Sequence, residues 1–431
     1  MAKLKERVAR SPLDLKVFKK FPYESDWKFR QAFSAMTEQG ADTGELLYIA
    51  HKIDPKDRES WINVWSEWGE KLEKLGDDCL EKGHKVSARQ AFVKAWNYYN
   101  NAEYGCVPSD PKFHERWRKA VQAMHKAVPL YNGVLTVIKI PFEDSYLPGY
   151  YWRPDDSGKK RPTLISVGGN ESSGEQILLT SGPAAIERGY NYFTFEYPGH
   201  RGAVHLNYPG FIKRRDQQVP FKTAIDFLEK LPDVDERIAL TGFSWGGYVS
   251  TKVAAYEKRL QAVIPDTPLL DWWAVGDAYY RQMVKRVPRF LLNPLFRYVL
   301  RRSPIKESLF KYAWWALGWE YEKVRITDWY DLDDIKQMKI TDEELKNITC
   351  PALALIGQNE GAIMVKQAHE FMDKISSKKK QMYMFTLEKD GTADHCQIDN
   401  RSKGNQVMFD WLDDLFDYRG NPASLYSERQ K

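Results

Sequence analysis

Cysteine is scarce in this 431-residue chain: Cys79, Cys106, Cys350 and Cys396 are the only ones, and no two form a C-x-x-C pair. So few thiols cannot staple a protein of this length, so they are expected to be reduced. Long apolar runs are missing too. No stretch approaches the ~20 residues that a membrane-spanning helix needs. The charged start Met1-Ala2-Lys3-Leu4-Lys5-Glu6-Arg7 has no apolar core behind it, unlike a secretory signal, and Glu428-Arg429-Gln430-Lys431 matches no familiar address. The expectation is a cytoplasmic protein. The net charge of +5 is small for this length and points to no nucleic-acid partner. No G-x-G-x-x-G follows a strand, no loop ends in G-K-[ST], and no cluster has metal-ligand spacing. No cofactor and no metal are expected. Internal repeats and low-complexity tracts are absent as well.

What remains is a globular composition, 43% hydrophobic and 29% charged, long enough for two or more structural units. The 15 Trp, 24 Tyr and 20 Phe exceed ordinary aromatic usage; burial accounts for most, and the lining of a ligand pocket for some.

Residues 1–132 carry helical signals. Apolar residues recur at helical spacing over 59–82 (Trp61, Val64, Trp65, Trp68, Leu72, Leu75), again over 86–99, and again over 111–127. No glycine-rich linker follows, so this unit is expected to pack on the next. From 133 the texture changes to strands at 134–140, 148–152, 162–167, 192–196, 237–241 and 260–264, with helices between them. Strands resume at 351–357 and 381–386, and a last helix covers 404–416. Such alternation predicts an α/β fold with a mostly parallel sheet covered on both faces. The core is assigned to 133–269 and 346–418, with a tail at 419–431. Residues 270–345 interrupt the alternation with helices rich in Trp and Tyr, among them Trp272, Trp273, Tyr279, Tyr280, Trp314, Trp315 and Trp319. Inside this insertion, basic residues from Arg281, Lys285 and Arg286 to Arg301 and Arg302 alternate with Phe290, Leu291, Leu295 and Tyr298. That segment reads as a lid over an apolar pocket; contact with a membrane surface is the other reading.

The most informative residues are Gly242-Phe243-Ser244-Trp245-Gly246-Gly247. A β-rich run leads in and a small-residue helix leads out. Strand, sharp turn and helix around G-x-S-x-G make a nucleophile elbow, where the serine is exposed at the carboxyl end of a sheet. A serine hydroxyl needs a base, and the base an orienting carboxylate. In α/β-hydrolases the chain order is serine, acid, histidine. His369 falls in a helix over 365–374 and reads as a surface residue. His395 lies in the loop after the last strand, where the base belongs. Glu360 is the only carboxylate in the turn Gly357-Gln358-Asn359-Glu360-Gly361 and is the expected acid, with Asp266 in reserve. Oxyanion donors are expected from Trp245 and, after the strand ending at Val167, from Asn170 in Gly168-Gly169-Asn170-Glu171. Gly169, His200 in Tyr197-Pro198-Gly199-His200, and Trp272 are candidate substrate contacts.

At these residues the chain resembles a branch of the α/β-hydrolases that includes the 2,6-dihydroxypseudooxynicotine hydrolase-like enzymes, fungal polyketide-shortening hydrolases and FrsA-like esterases. The resemblance runs through Ser87-Ala88-Arg89, Tyr98-Tyr99, Leu147-Pro148-Gly149-Tyr150, the elbow, Ala393-Asp394-His395-Cys396-Gln397 and Phe409-Asp410-Trp411-Leu412. It implies a triad of Ser244, His395 and Glu360, with the N-terminal helices helping to cover the site. Several such enzymes hydrolyse carbon–carbon bonds in β-dicarbonyl or acyl-phenol compounds. The chain departs from the branch in carrying Glu360 for aspartate and His200 where glutamine is frequent. The expectation is a cofactor-independent serine hydrolase, with an acyl-enzyme or tetrahedral intermediate, acting on a small aromatic or polyketide-like carbonyl compound. Carboxylesterase and acyltransferase readings stay open, as does a non-catalytic binding protein on a hydrolase scaffold. The extra helical unit makes a homodimer possible.

Overall fold

The computed structural model describes residues 17–131, 134–276, 287–320, 323, 325 and 336–420. Tyr279, Tyr280, Arg281, Lys285, Arg286, the charged start and residues 421–431 of the tail lie outside the described residues.

Helices α1 (Tyr23–Ser34), α2 (Thr43–Lys52), α3 (Arg58–Glu81), α4 (Lys85–Glu103) and α5 (Phe113–Ala127) come first. The periodic stretch over 59–82 becomes α3, whose buried stripe is Trp61, Ile62, Trp65, Gly69, Leu72 and Gly76. The N-cap Asp57 carboxylate accepts from Glu59 N at 3.0 Å, which satisfies one orphan donor of the first turn. That stripe packs on α4, which is buried along most of its length, so the two form the centre of the helical layer.

The strands follow: β1 (Leu135–Phe142), β2 (Ser145–Trp152), β3 (Arg161–Val167), β4 (Asn191–Phe195), β5 (Val234–Phe243), β6 (Leu260–Asp266), β7 (Ala352–Gly357) and β8 (Lys380–Phe385). Between them lie α6 (Gly174–Glu187), α7 (Arg201–Leu206), α8 (Gln218–Leu228) and α9 (Trp245–Tyr256). The described strands form one sheet in the order β1-β2-β4-β3-β5-β6-β7-β8. β1 with β2 and β2 with β4 are antiparallel; the remaining pairs are parallel. Period-2 geometry sends successive side chains to opposite faces. Leu164, Tyr192, Ala239, Ile264 and Leu355 join the core under the N-terminal helices. Ile165, Phe193, Leu240, Val263 and Ala354 join the core on the opposite face. Both faces are therefore covered, and every residue of β3 is buried, its polar Arg161, Thr163 and Ser166 included.

The insertion contains helices Arg289–Arg301 and Pro304–Trp315. Ala362–Lys374 follows β7, and Arg401–Phe416 closes the described chain. None of the described helices is long and apolar enough to cross a membrane.

The turn from β5 to α9 is tightly confined. A Cβ on Gly242 would stand 2.0 Å from the Gly246 carbonyl oxygen, and one on Gly247 would stand 1.8 Å from the Thr267 carbonyl oxygen. Both contacts are with backbone, which cannot swing aside. Gly247→Ala is expected to lower stability by on the order of 3 kcal/mol, through overpacking and a displaced Thr267. Urea unfolding of the variant measures it; an unchanged midpoint contradicts this packing.

Candidate active site

Loops at the carboxyl ends of β3, β5, β6, β7 and β8 converge on one cavity of about 490 Å³. That edge is where open α/β sheets bind ligands, and the volume suits a small molecule. Ser244 stands between β5 and α9 with φ 57° and ψ −117°, a strained conformation for a residue with a side chain. Its N–H donates to the Asp266 carbonyl at 2.7 Å, and its carbonyl accepts from Gly247 N at 2.8 Å. The hydroxyl is thereby presented at the N-terminus of α9, whose first N–H groups have no intrahelical acceptor. Trp245, the first residue of that helix, has a buried ring stacked on Tyr248 at 4.5 Å.

His395 and Glu360 line the same cavity as Ser244. The imidazole Nδ1 is paired with Glu360 Oε2. Glu360 is itself fixed: both carboxylate oxygens accept from Thr267 Oγ1 at 2.5 Å, and Oε1 accepts from Gly357 N at 3.0 Å. Burial disfavours charge on His395, but the cysteine next in the chain and the Glu360 carboxylate outweigh it and raise the imidazole well above its ordinary value. Cys396 itself is pushed up to about 11, burial being the main cause, so it is a thiol at neutral pH, and the Glu360 carboxylate is the charged partner on Nδ1.

The reserve acid, Asp266, is fully buried and engaged elsewhere. Its carboxylate accepts from Gln397 Nε2 and Arg401 Nη1, each at 3.0 Å. Asp394 accepts from the His395 backbone N–H at 2.9 Å and pairs with Arg30 Nη1 of α1 at 2.7 Å. His369 is exposed on helix Ala362–Lys374.

Gly169 and Asn170 both line the cavity, and a Cβ on Gly169 would stand 2.8 Å from the Ser244 Cβ. His200 lies behind this loop, buried and off the cavity wall. Its Nε2 is 3.2 Å from Ser172 Oγ and its Nδ1 is 3.3 Å from Glu196 Oε2. Trp272 is also set back, 4.8 Å from the Trp245 ring. Among the described residues, the aromatic wall of the cavity comes from Tyr23, Trp27, Trp96 and Tyr104 of the N-terminal helical layer and from Phe243; the insertion adds Val275 and Leu309. Aromatic residues of the insertion such as Trp314 and Trp315 pack elsewhere, Trp314 against Phe310 and Trp315 against Tyr208 and Phe113.

The helical layer is keyed to the same loops by charge. Lys28 Nζ meets Glu171 Oε2 at 3.2 Å, Tyr104 donates to the Glu171 carbonyl at 2.5 Å, and Arg201 Nε donates to it at 3.1 Å. Burial lowers Lys28 to about 8, Glu171 opposing.

Lys213 carried no signal in the sequence, where it opens the basic run Lys213-Arg214-Arg215. It is buried, with Nζ 5.1 Å from the Trp245 ring and 4.8 Å from the Trp272 ring, and it donates to Asn170 Oδ1. Burial pushes its ammonium down to about 7, against the pull of Glu171. An unfolded lysine titrates near 10.4, so between those values the unfolded chain binds one proton more than the native one. This group's contribution is fully present above the unfolded value and is lost as pH falls toward 7. From pH 7.5 to 9.5, wild type is expected to gain up to about 1.4 kcal/mol per pH unit relative to Lys213→Met. Parallel urea titrations of the two proteins test it, and equal slopes contradict a neutral buried lysine.

Among the described residues, no group of three or more His, Cys, Asp or Glu side chains could hold a metal ion. The sheet order, the elbow and the histidine after the last strand define an α/β-hydrolase. The chain belongs to the family described as X-Pro dipeptidyl-peptidase (S15 family), whose model matches residues 147–388, more than half its length. It is similar to the 20-hydroxy-prefusarin hydrolase FUS2 of Gibberella moniliformis, with 26% identity over 91% of this chain and 96% of that one. It is 31% identical to the hydrolyase poxO of Penicillium oxalicum over 58% of this chain and 61% of that one. Among solved structures, a 2,6-dihydroxy-pseudo-oxynicotine hydrolase shares the fold, with TM-score 0.69 and 18% identity over 90% of this chain and 98% of that one. AbyA5 follows with TM-score 0.59 and 15% identity over 87% and 90%. The protein is an α/β-hydrolase enzyme of the branch that the sequence resembles.

Proposed function

We propose that this enzyme is a serine hydrolase that cleaves a carbonyl-centred bond in a polyketide-like or aromatic substrate. One observation carries the reading: the Glu360 carboxylate holds His395 by Nδ1 on the wall of the cavity into which the elbow presents Ser244. With Nδ1 held, Nε2 is the nitrogen left to take the Ser244 proton as Oγ attacks the carbonyl carbon. The N–H groups of Trp245 and Asn170 receive the oxyanion, at a helix N-terminus that favours negative charge. His395 then returns the proton to the leaving group and activates water. In a β-dicarbonyl compound the leaving group is a carbanion delocalised into the second carbonyl, and the broken bond is C–C. In an ester it is an alkoxide, and the same residues serve. The similarity to a 20-hydroxy-prefusarin hydrolase and to a 2,6-dihydroxy-pseudo-oxynicotine hydrolase supports a small oxygenated substrate.

Benzoylacetone and p-nitrophenyl acetate separate the two outcomes. C–C hydrolysis releases acetate and acetophenone, or benzoate and acetone, from the diketone. Turnover of the ester with an untouched diketone points to an esterase, and turnover of neither overturns the hydrolytic reading.

A further inference from the structure

The positive charge of this chain is concentrated in one segment. Between Ala278 and Lys306 the sequence holds eight lysines and arginines and no aspartate or glutamate. Taking those eight from the net +5 leaves −3 for the rest of the chain. The described part of the segment begins at Val287 and centres on helix Arg289–Arg301. No residue of that helix lines the cavity, so its apolar side chains are not spent on the pocket.

One side of the helix holds it to the protein. Leu292 and Leu300 are buried, and the Phe296 ring meets Phe310 at 5.5 Å and Trp314 at 6.4 Å. Those two rings belong to helix Pro304–Trp315, which lends Leu309 to the cavity. The other side carries Phe290, Leu291, Leu295, Tyr298 and Val299, each between 39% and 79% exposed. At 3.6 residues per turn these five fall within about half of the helix circumference. Five large apolar side chains on one short helix make a patch, unlike singly scattered surface residues. Arginines frame it: Arg289 begins the helix, Arg297 borders the face, and Arg301 and Arg302 end it. Arg302 donates to the Tyr298 hydroxyl at 3.1 Å and stands 5.3 Å from its ring. Among the described residues, Arg289, Arg301 and Arg302 have no acidic partner. Glu307, the first acid that follows, is taken by Arg58 at 2.6 Å and Lys311 at 3.3 Å.

An apolar face framed by arginines without acids complements a surface that is apolar within and negative outside. A second copy of the same face is a poor match, because a two-fold contact sets like charges together and the helix has no acid to offset them. We propose that helix Arg289–Arg301 docks the enzyme on a membrane surface that contains anionic phospholipid. Phe290, Leu291, Leu295, Tyr298 and Val299 enter below the headgroups. The arginines lie among the phosphates, their stems along the apolar boundary. The contact is peripheral: the helix lies along the interface and stays packed on the protein through Leu292 and Leu300. The inference stands apart from the hydrolytic reading, since the face docks whether or not Ser244 is the nucleophile.

Co-sedimentation of the full chain with lipid vesicles tests it. Phosphatidylcholine vesicles holding about 30 mol% phosphatidylserine are expected to bind at least about tenfold more tightly than pure phosphatidylcholine, and about 0.5 M NaCl to weaken that binding about tenfold. Two double variants, Phe290→Ser with Leu295→Ser and Arg301→Gln with Arg302→Gln, each weaken it by about tenfold or more. All four residues are exposed, so both variants are expected to melt as wild type does. The melt separates lost docking from misfolding, and if one variant misfolds the other decides. No binding to the anionic vesicles, equal binding to both kinds, or undiminished binding in the folded variants overturns the proposal. A dimer in sedimentation equilibrium that the Phe290→Ser, Leu295→Ser variant dissociates, with no vesicle binding by wild type, overturns it in favour of a contact between copies.

Discussion

Ser244→Ala is expected to lower kcat for p-nitrophenyl acetate by roughly 10⁴- to 10⁶-fold, the range seen when a hydrolase loses its nucleophile. The substitution removes one oxygen and nothing else that the fold uses. The Ser244 N–H and carbonyl make the bonds that shape the turn, and an alanine keeps both. Alanine occupies the left-handed conformation with no more difficulty than serine, so the thermal melt is expected to stay within about 1 kcal/mol of wild type. The proposed oxyanion donors and the cavity remain, which leaves an expected residual rate above water. A variant with more than a tenth of wild-type activity contradicts Ser244 as the attacking group.

The second large effect is expected at Glu360. Glu360→Gln keeps the size of the side chain but lets an amide N–H face His395 Nδ1, which favours the wrong tautomer; a loss of roughly 10⁴ in kcat follows. The pH profile adds a sign. The base works when neutral, and pairing with Glu360 raises the pH at which His395 gives up its proton. In wild type the acidic limb of kcat/KM is therefore expected above pH 6.5. Removing the carboxylate charge moves that limb to lower pH, in whatever activity remains. Glu360→Asp keeps the charge but retracts it by one methylene from Thr267 and Gly357, and falls between wild type and Glu360→Gln. A Glu360→Gln enzyme with full kcat and an unmoved limb contradicts the pairing.

Much of this site was legible in the chain because its chemistry depends on order and on turns. Serine, acid and histidine each follow a strand, and β5, β7 and β8 show as apolar runs with turn residues behind them. Glu360 stands out as the candidate acid because no other carboxylate shares its turn. Charge hid the rest. Helix α1 escaped notice because its buried residues include Asp26, Lys28 and Arg30, which look like solvent-facing residues until Asp394 and Glu171 are placed opposite them. Lys213 sits in a basic run that resembles a wet loop. Arg401 starts a helix and gives no sign of Asp266, 135 positions earlier. Such pairings are made by the topology of the sheet, and one sequence carries no local trace of them.

His200 and Trp272 illustrate the reverse case. Both stand in segments at the expected sheet edge, so proximity suggested substrate contact. The structure spends them one layer back, on Ser172 and on Trp245. Among the described residues, the aromatic side chains lining the cavity come from α1, α4, Tyr104 and Phe243 rather than from the insertion, which gives the N-terminal helices a direct part in shaping the cavity.

Ser244 is the residue proposed to become acylated. Treatment with a fluorophosphonate followed by peptide mass spectrometry tests it most directly. The expected result is a single stoichiometric adduct on the peptide containing Ser244, absent from Ser244→Ala and slowed in Glu360→Gln. No adduct on the folded wild-type protein, or an adduct at another residue that persists in Ser244→Ala, contradicts the account.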